Sequence, residues 1–478
     1  MPGLTILGDD DIKLLLHSLN RKDLMDLQQS LADALHYYST ATEDDDMGAC
    51  ASNQLMRQVM KQKDGTTTLF MPATGNDAMG IKIVTLSEAS TRGGSVSSPP
   101  STERSSISSL ASLSLSELSS ASNQSSASTP SSGTQQSSNL SRSSTTTVDT
   151  PPSSVASETL GFKTSRTSPK GLLSLFERDG TPRALVNAEE LTAFRTALAS
   201  TMLFKKRENV HDVVVFGAGK QAYWHARLAL LLRPDDIHHL NIINRSFDNA
   251  KHLMKELFSD RWPIHIPRSK LQTAIITPVH VEYDRHLREM VRKASAIFCT
   301  TPSTQPLFPP DILTSTEGRK KGRYLAAIGS YKPHMCEIHP DVIRQAVAPT
   351  HRHHHHRHAQ QGGAIVVDSV DAALREAGEL IQAGLGGREV VELGELILLK
   401  RDAQRRREES TSSLDSYGVE IGSKKGAADE ADKSLHEWLC KGNVIYKSVG
   451  IGLMDVTVGG DLVRLADERR VGTIIDNF

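Results

Sequence analysis

The chain has 478 residues, enough for two or three domains at roughly 150 residues each. Lys and Arg total 55 against 56 Asp and Glu, a formal net charge of -1, so no general field attracts nucleic acid or an acidic membrane. The widely spaced Cys50, Cys299, Cys336 and Cys440 make neither a metal pair nor a disulfide framework, a usage that fits a reducing, cytoplasmic setting. No apolar run approaches the roughly 20 residues of a membrane span. Asp9, Asp10 and Asp11 stand where a signal peptide would carry basic residues, so none is expected.

In chain order, apolar spacing predicts amphipathic helices around Ile12 to Leu19 and Leu24 to Tyr38, then strands around Thr67 to Met71 and Gly80 to Leu86. Lys82 lies between Ile81 and Ile83 in the second strand, where a lysine either reaches into a cleft or snorkels to water. Residues 88–159 are dominated by Ser and Thr, with too little apolar surface to offset the entropy of ordering, so a disordered insertion is expected. Ala188 to Phe204 predicts a long helix. From 211 to about 370, strand and helix signals alternate, with strands expected at Val213 to Phe216, Leu240 to Asn244, Ala274 to Val279, Ala296 to Thr300, Tyr324 to Ala327 and Ile365 to Asp368. Such alternation implies a parallel, doubly wound α/β sheet. His351 to His358 form a His-rich tract inside the loop 349–363. It lacks Asp, Glu or Cys partners to close a defined site, so it reads as a solvated loop and no metal site is assigned. Residues 401–436 are charged and poor in apolar groups, as an exposed helix end and loop would be. The remainder looks mainly helical, with a short apolar stretch around Asn443 to Val449.

One stretch points to a ligand. Val213-Val214-Val215-Phe216 runs into Gly217-Ala218-Gly219-Lys220-Gln221-Ala222, followed by the helical pattern of Tyr223 to Leu232. A buried strand, a glycine turn and a helix N-terminus in this order read as a dinucleotide site, the alternative being an ordinary strand-to-helix turn. Gly217 allows the turn, Gly219 lets the pyrophosphate approach, and free N–H groups with the positive end of the helix dipole meet the anion. The next strand ends in Asn244-Arg245-Ser246 rather than in the acid that usually binds the ribose hydroxyls of NAD. Arg245 either pairs with a 2′-phosphate, making NADP(H) the favoured cofactor over NAD(H), or stacks on the adenine and distinguishes nothing.

Further motifs accompany the glycine loop. Before it come Arg57, Leu69-Phe70-Met71-Pro72-Ala73, Gly80-Ile81-Lys82-Ile83-Val84, Gly171 to Phe176, Pro182 to Val186 and Leu191 to Ala197. After it come Thr300-Thr301-Pro302-Ser303, Ala327-Ile328-Gly329-Ser330, Glu337, Val366-Val367-Asp368-Ser369, Glu376 to Leu380, and Ser448-Val449-Gly450 with Asp455. In these motifs and their order the chain resembles the ornithine cyclodeaminase/mu-crystallin family: Gly171 to Phe176 and Pro182 to Val186 resemble its hairpin, and Leu191 to Ala197 its Leu-Thr-X-X-Arg-Thr-Ala helix start. The motifs span most of the folded chain.

The resemblance implies a two-domain homodimer acting on a small amino, imino or 2-oxo acid with a nicotinamide cofactor. Residues 1–87, 160–204 and a returning 437–478 would form an α+β substrate and dimerisation domain. Residues 205–400 would form the Rossmann-like NAD(P)-binding domain, with 88–159, 349–363 and 401–436 as surface insertions. Arg57, Lys82 and Arg195 match the family's substrate-binding cations. A guanidinium suits an α-carboxylate because it can grip it with two parallel hydrogen bonds, and a partly buried lysine suits an acid or donor. Thr300, Thr301 and Ser303 either contact the ribose or nicotinamide or simply make a Ser/Thr turn. Val449 and Gly450 match the segment that approaches the nicotinamide from the other domain. Asp455 either begins the last helix or orients a cleft lysine. One position departs from the family. Cyclodeaminases carry an aspartate where Tyr331 stands, and a tyrosine cannot serve as a carboxylate base at neutral pH. Hydride transfer is therefore the expected reaction, with ornithine cyclodeamination and non-catalytic NADP(H) binding as the alternatives.

Because the Ser/Thr-rich segment has little to pack, replacing Ser90 to Ser154 by a short flexible linker should leave the melting temperature and nicotinamide affinity intact. A large loss of melting temperature on excision would place the segment in the core.

Overall fold

The computed structural model describes residues 3–40, 54–75, 78–87, 170–267, 270–348, 364–399, 424–476 and 478. The expectations for 88–159, for the His-rich tract and for most of 401–436 lie outside the described residues. Among the described residues the chain forms two sheets and a set of helices packed on and between them.

The first sheet is built from β1 (Leu4–Leu7), β2 (Gln58–Lys61), β3 (Thr66–Thr74), β4 (Met79–Ser87), β5 (Lys170–Phe176), β6 (Pro182–Asn187) and β15 (Thr473–Ile475), in the order β15-β1-β6-β5-β4-β3-β2. Strand β1 runs parallel to β6, and the other neighbours are antiparallel. Side chains alternate across a strand, so register decides which residues are buried. One row pairs Met71 with Lys82, Lys82 with Leu173 and Leu173 with Val186, and all four side chains are buried. The helix Gly452–Arg469 lies on β3, β4 and β5. Lys82 is thus a charged residue in an otherwise apolar row.

The second sheet is wholly parallel. It comprises β7 (Asp212–Phe216), β8 (His239–Ile243), β9 (Gln272–Ile276), β10 (Ala296–Cys299), β11 (Tyr324–Ala327), β12 (Ile365–Val367), β13 (Val390–Glu392) and β14 (Val444–Lys447), in the order β13-β12-β14-β11-β10-β7-β8-β9. Its central strands are apolar throughout because helices cover both faces; Val213, Val214, Val215, Ile297 and Phe298 are fully buried. The strand order reverses between β7 and β10, where a doubly wound sheet opens a crevice beyond the carboxyl ends of its strands. The fold is therefore α/β and Rossmann-like, with a second domain around the mixed sheet. The helix Ala188–Phe204 is buried nearly all round and packs on both the Lys220–Leu232 and Gly452–Arg469 helices. It begins where Asn187 caps it by accepting from Glu189 N at 3.0 Å.

Two expectations need correction. The boundary at 437 is too early: β14 lies between β11 and β12 in the parallel sheet, and the chain reaches the mixed sheet only in the Gly452–Arg469 helix. Three apolar residues, Val444 to Tyr446, next to a charged segment carry too short a pattern to be assigned to a sheet. The strand expected to reach Val279 stops at Ile276, because Pro278 has no N–H for a ladder and the chain turns, with His280 N on Thr277 O at 3.0 Å.

Adjacent residues of β5 test the register. Leu173 has no exposed surface and Leu172 is 40% exposed. Leu173→Ala should cost about 2–5 kcal/mol in chemical denaturation, and Leu172→Ala about 0.5 kcal/mol or less. Equal losses would contradict the pairing.

Candidate active site

The crevice at the carboxyl ends of β7 and β10 is shaped by backbone. Gly217 follows β7 with φ +110°, and a Cβ there would sit 2.7 Å from Thr300 Oγ1. The Thr300 hydroxyl in turn donates to Phe216 O at 2.7 Å. Gly219 is the N-cap of the Lys220–Leu232 helix and faces open space, so the first N–H groups of a 13-residue helix stand clear for an anion. In that first turn Gln221 Oε1, an acceptor buried without a partner among the described residues, suits a hydroxyl of a ligand, while the glycine turn and the free N–H groups fit a dinucleotide phosphate. Lys220 does not aim a free charge at it: its ammonium lies 3.1 Å from Glu189 and 2.8 Å from Glu190, at the start of the Ala188–Phe204 helix. Beyond β8, Arg245 is exposed, Asn244 Nδ2 donates to Ser246 O at 2.8 Å, and Ser246 Oγ caps the next helix through Asn249 N.

The loops after β10 and β11 are fastened by Glu337. Its carboxylate has no exposed surface and accepts from Thr301 N at 2.7 Å, Gly329 N at 2.6 Å and Ser330 N at 3.3 Å. Burial pushes this carboxyl up to about 7, while Lys447 pulls it down and Glu379 pushes it further up. Lys447, at the end of β14, donates to Ser330 Oγ at 2.7 Å and lies 3.4 Å from Glu379, and Ser330 Oγ also donates to Glu379. Ser303 makes the turn instead: its hydroxyl donates to Gln305 O at 2.6 Å. The expected Thr301 is thus bound to Glu337 through its N–H, and Lys447 is a site residue that sequence reasoning missed. The only signal for it was a lysine closing the apolar run Val444-Ile445-Tyr446.

Facing these loops, the three cations gather around carboxylates. Lys82 Nζ donates to Asp455 Oδ1 at 2.8 Å, and Arg195 Nε reaches the same oxygen at 3.2 Å. Asp455 lies in the first turn of the Gly452–Arg469 helix, so it both opens that helix and holds the lysine. Burial brings Lys82 down from 10.5 to about 8; Asp455 opposes this, and Arg195 and Arg57 add to it. Arg57 Nη2 donates to Gly450 O at 2.9 Å and lies 3.0 Å from Glu376 Oε2. The segment 448–450 is held by Asp368, which accepts Ser448 Oγ at 2.7 Å, Val449 N at 3.1 Å and Gly450 N at 2.6 Å. Gly450, at φ +81°, lies so close to Arg195 that a Cβ would be 2.8 Å from Nη2. Val449 and Gly450 therefore touch Arg57, and Gly450 also Arg195. The roles of Asp368 and Glu376 were not legible beforehand, although both sit in motifs.

Residues 163–398 match the model of the ornithine cyclodeaminase/mu-crystallin family. The match covers just under half of the chain, which is thus similar to this family over that span. The chain is similar to a Δ1-pyrroline-2-carboxylate reductase of Bacillus cereus, 27% identical over 64% of this chain and 73% of that protein. It is also similar to the ketimine reductase mu-crystallin of Mus musculus, 25% identical over 51% of this chain and 62% of that protein. Among solved structures, the Δ1-pyrroline-2-carboxylate reductase of Thermococcus litoralis, in complex with NADH and L-proline, shares the fold. The TM-score is 0.55 and the identity 16%, over 98% of this chain and 99% of that one. Within the family match lies Arg195; Arg57, Lys82, Val449, Gly450 and Asp455 lie outside it, and the fold brings them to Arg195. A cavity of about 520 Å³ beside Tyr38, Val390 and Trp438 shares no lining residue with these clusters.

Proposed function

We propose that the protein is an NAD(P)-dependent imine reductase, converting a small α-imino acid to its amino acid and, in reverse, oxidising the amino acid. The observation that carries this reading is the buried Lys82–Asp455–Arg195 cluster, joined to Arg57 through the 448–450 segment. A reduced nicotinamide supplies the hydride when bound; Gly217, Ala218, Gly219, Gln221 and the helix N-terminus would hold its phosphates, and Thr300 and Thr301 would border it. Arg195 and Arg57 clamp the substrate carboxylate. The contacts Arg57 makes fall on Nη2, and a guanidinium carries five N–H donors, so others serve the ligand. Lys82 Nζ polarises the imine and gives its proton to the substrate nitrogen, and Asp455 keeps the lysine aimed. The assembly we expect is a homodimer: the sheet ends in the edge strand β2, whose Val59 and Met60 are exposed together with Leu55 and Met56.

Turnover of 1-pyrroline-2-carboxylate tests this reading directly. Lys82→Met should lower kcat/KM roughly 30- to 1000-fold while nicotinamide binding persists. In the wild type the reduction should fall as pH rises through about 8, because Lys82 loses its proton there. A profile flat to pH 10 would remove Lys82 as the acid. Ornithine with NAD should release little ammonia; robust release would restore the cyclodeaminase.

Nicotinamide fluorescence titration checks the cofactor. No carboxylate stands at Asn244-Arg245-Ser246 to repel a 2′-phosphate, so NADPH should bind more tightly than NADH. Equal affinities would show that Arg245 does not read that phosphate.

A further inference from the structure

Asp455 is fully buried, and its two oxygens are used unequally. Both Lys82 and Arg195 converge on Oδ1, at 2.8 and 3.2 Å, while Oδ2 is buried without a hydrogen-bond partner among the described residues. An ionised carboxylate accepts through both oxygens, and folded chains seldom leave a buried acceptor of a charged group unmet. A carboxylate that served only to anchor the cations would be expected to share them between its oxygens. Arg195 instead turns Nη1 to Met454 Sδ at 3.3 Å.

The groups around it also leave room for a carboxylate. Lys82, Arg195 and Arg57 face Asp455 and Glu376, with Asp368 close by, and Arg57 makes its contacts through Nη2 alone, so its other N–H donors stay open to a ligand. The complement of this cluster is a ligand with one carboxylate and, close to it, one hydrogen-bond donor. A protonated α-imino acid has both, since its C=N carbon bears the carboxylate and its nitrogen bears N–H. A 2-oxo acid has the carboxylate but turns a carbonyl oxygen, an acceptor, toward the orphan acceptor.

We infer that Asp455 Oδ2 receives the substrate's N–H and so makes Asp455 the residue that selects imino and amino acids against 2-oxo acids. This rests on the imine-reductase reading above. In the forward reaction the protonated imine keeps its N–H on Oδ2 while the lysine stays on Oδ1. A bound reduced nicotinamide would supply the hydride for the new C–H bond; the C=N π pair becomes a nitrogen lone pair, a Lys82 N–H bond breaks as that pair takes the proton, and Lys82 regains one from solvent. Since Oδ2 carries no exposed surface, a ligand reaches it only as the surrounding side chains part, so binding and turnover are both measured.

Pyrrole-2-carboxylate and furan-2-carboxylate are planar rings of one size with the same carboxylate; the first has a ring N–H where the second has an oxygen. Calorimetry on the full chain, saturated with whichever of NADP+ and NAD+ binds more tightly, should give a Kd for the pyrrole acid at least about tenfold below that for the furan acid. In Asp455→Asn the amide NH2 can take the Oδ2 position, and the ratio should fall to one or invert. Wild type should reduce 1-pyrroline-2-carboxylate and leave 2-oxopentanoate unreacted in the absence of ammonia. The wild-type comparison decides the matter even if the variant does not fold. Equal affinities in wild type, with the imino acid still reduced, would overturn the role of Oδ2 and leave the reductase reading standing. Binding of neither acid together with no imine turnover would overturn both.

Discussion

A single buried carboxylate ties together three distant parts of the chain. Asp455 on the last long helix holds Lys82 from the middle of β4 and Arg195 from the Ala188–Phe204 helix. Burying such charges is costly, and the attraction between them repays this only when geometry is good. Removing one partner leaves an uncompensated charge inside the protein, which is why such clusters are poor substitutes for apolar packing and good devices for setting position. The row Met71, Lys82, Leu173 and Val186 would be a better core with an aliphatic residue at 82. Stability is given up there, and a cation whose proton is loosely held near neutral pH is gained.

The same device recurs on the nucleotide side with a different partner. Asp368 and Glu337 are buried carboxylates that accept backbone N–H groups rather than cations, and each fixes a loop at the carboxyl end of the parallel sheet. Charge-assisted bonds of this kind are short and strong, and they leave a loop little freedom. The Asp368 bonds also reach the substrate side, because the 448–450 segment they hold accepts Arg57 through Gly450 O. Tyr38 adds a further tie, its hydroxyl 2.9 Å from that of Ser369. Sites work when their supporting shell is this tightly specified.

How much of this was legible in the sequence follows from length of signal. Strands with long apolar runs into a glycine turn, such as Val213 to Phe216, and helices such as Ala188 to Phe204, show a clear period. Among the strands of three or four residues, β10, β11 and β12 continue the strand–helix alternation and could be read, whereas β1, β2, β13, β14 and β15 owe their state to neighbours far along the chain, so a local pattern does not reveal them. At the site, single unusual residues were visible: Lys82 among isoleucines, and arginines in matched motifs. Their partners were not. Asp368, Glu376 and Asp455 look like ordinary helix-start or helix-end acids until the fold sets them against cations and N–H groups from elsewhere. Lys220 shows the converse, since its place in a glycine loop suggested phosphate while its nearest charges are Glu189 and Glu190.

The position of β14 bears on how the molecule is made. Strands β11 and β12 are neighbours in sequence, yet each pairs with β14, which arrives more than seventy residues after β12. During synthesis the nucleotide sheet must therefore wait with an open slot at its centre, flanked by two strands whose N–H and C=O groups are unmatched. Unpaired edges of this kind template wrong pairings, and closing so long a loop is slow. A chain ending before Val444 would carry its larger sheet as two separate pieces, of two and of five strands, each with an unpaired edge open to other chains.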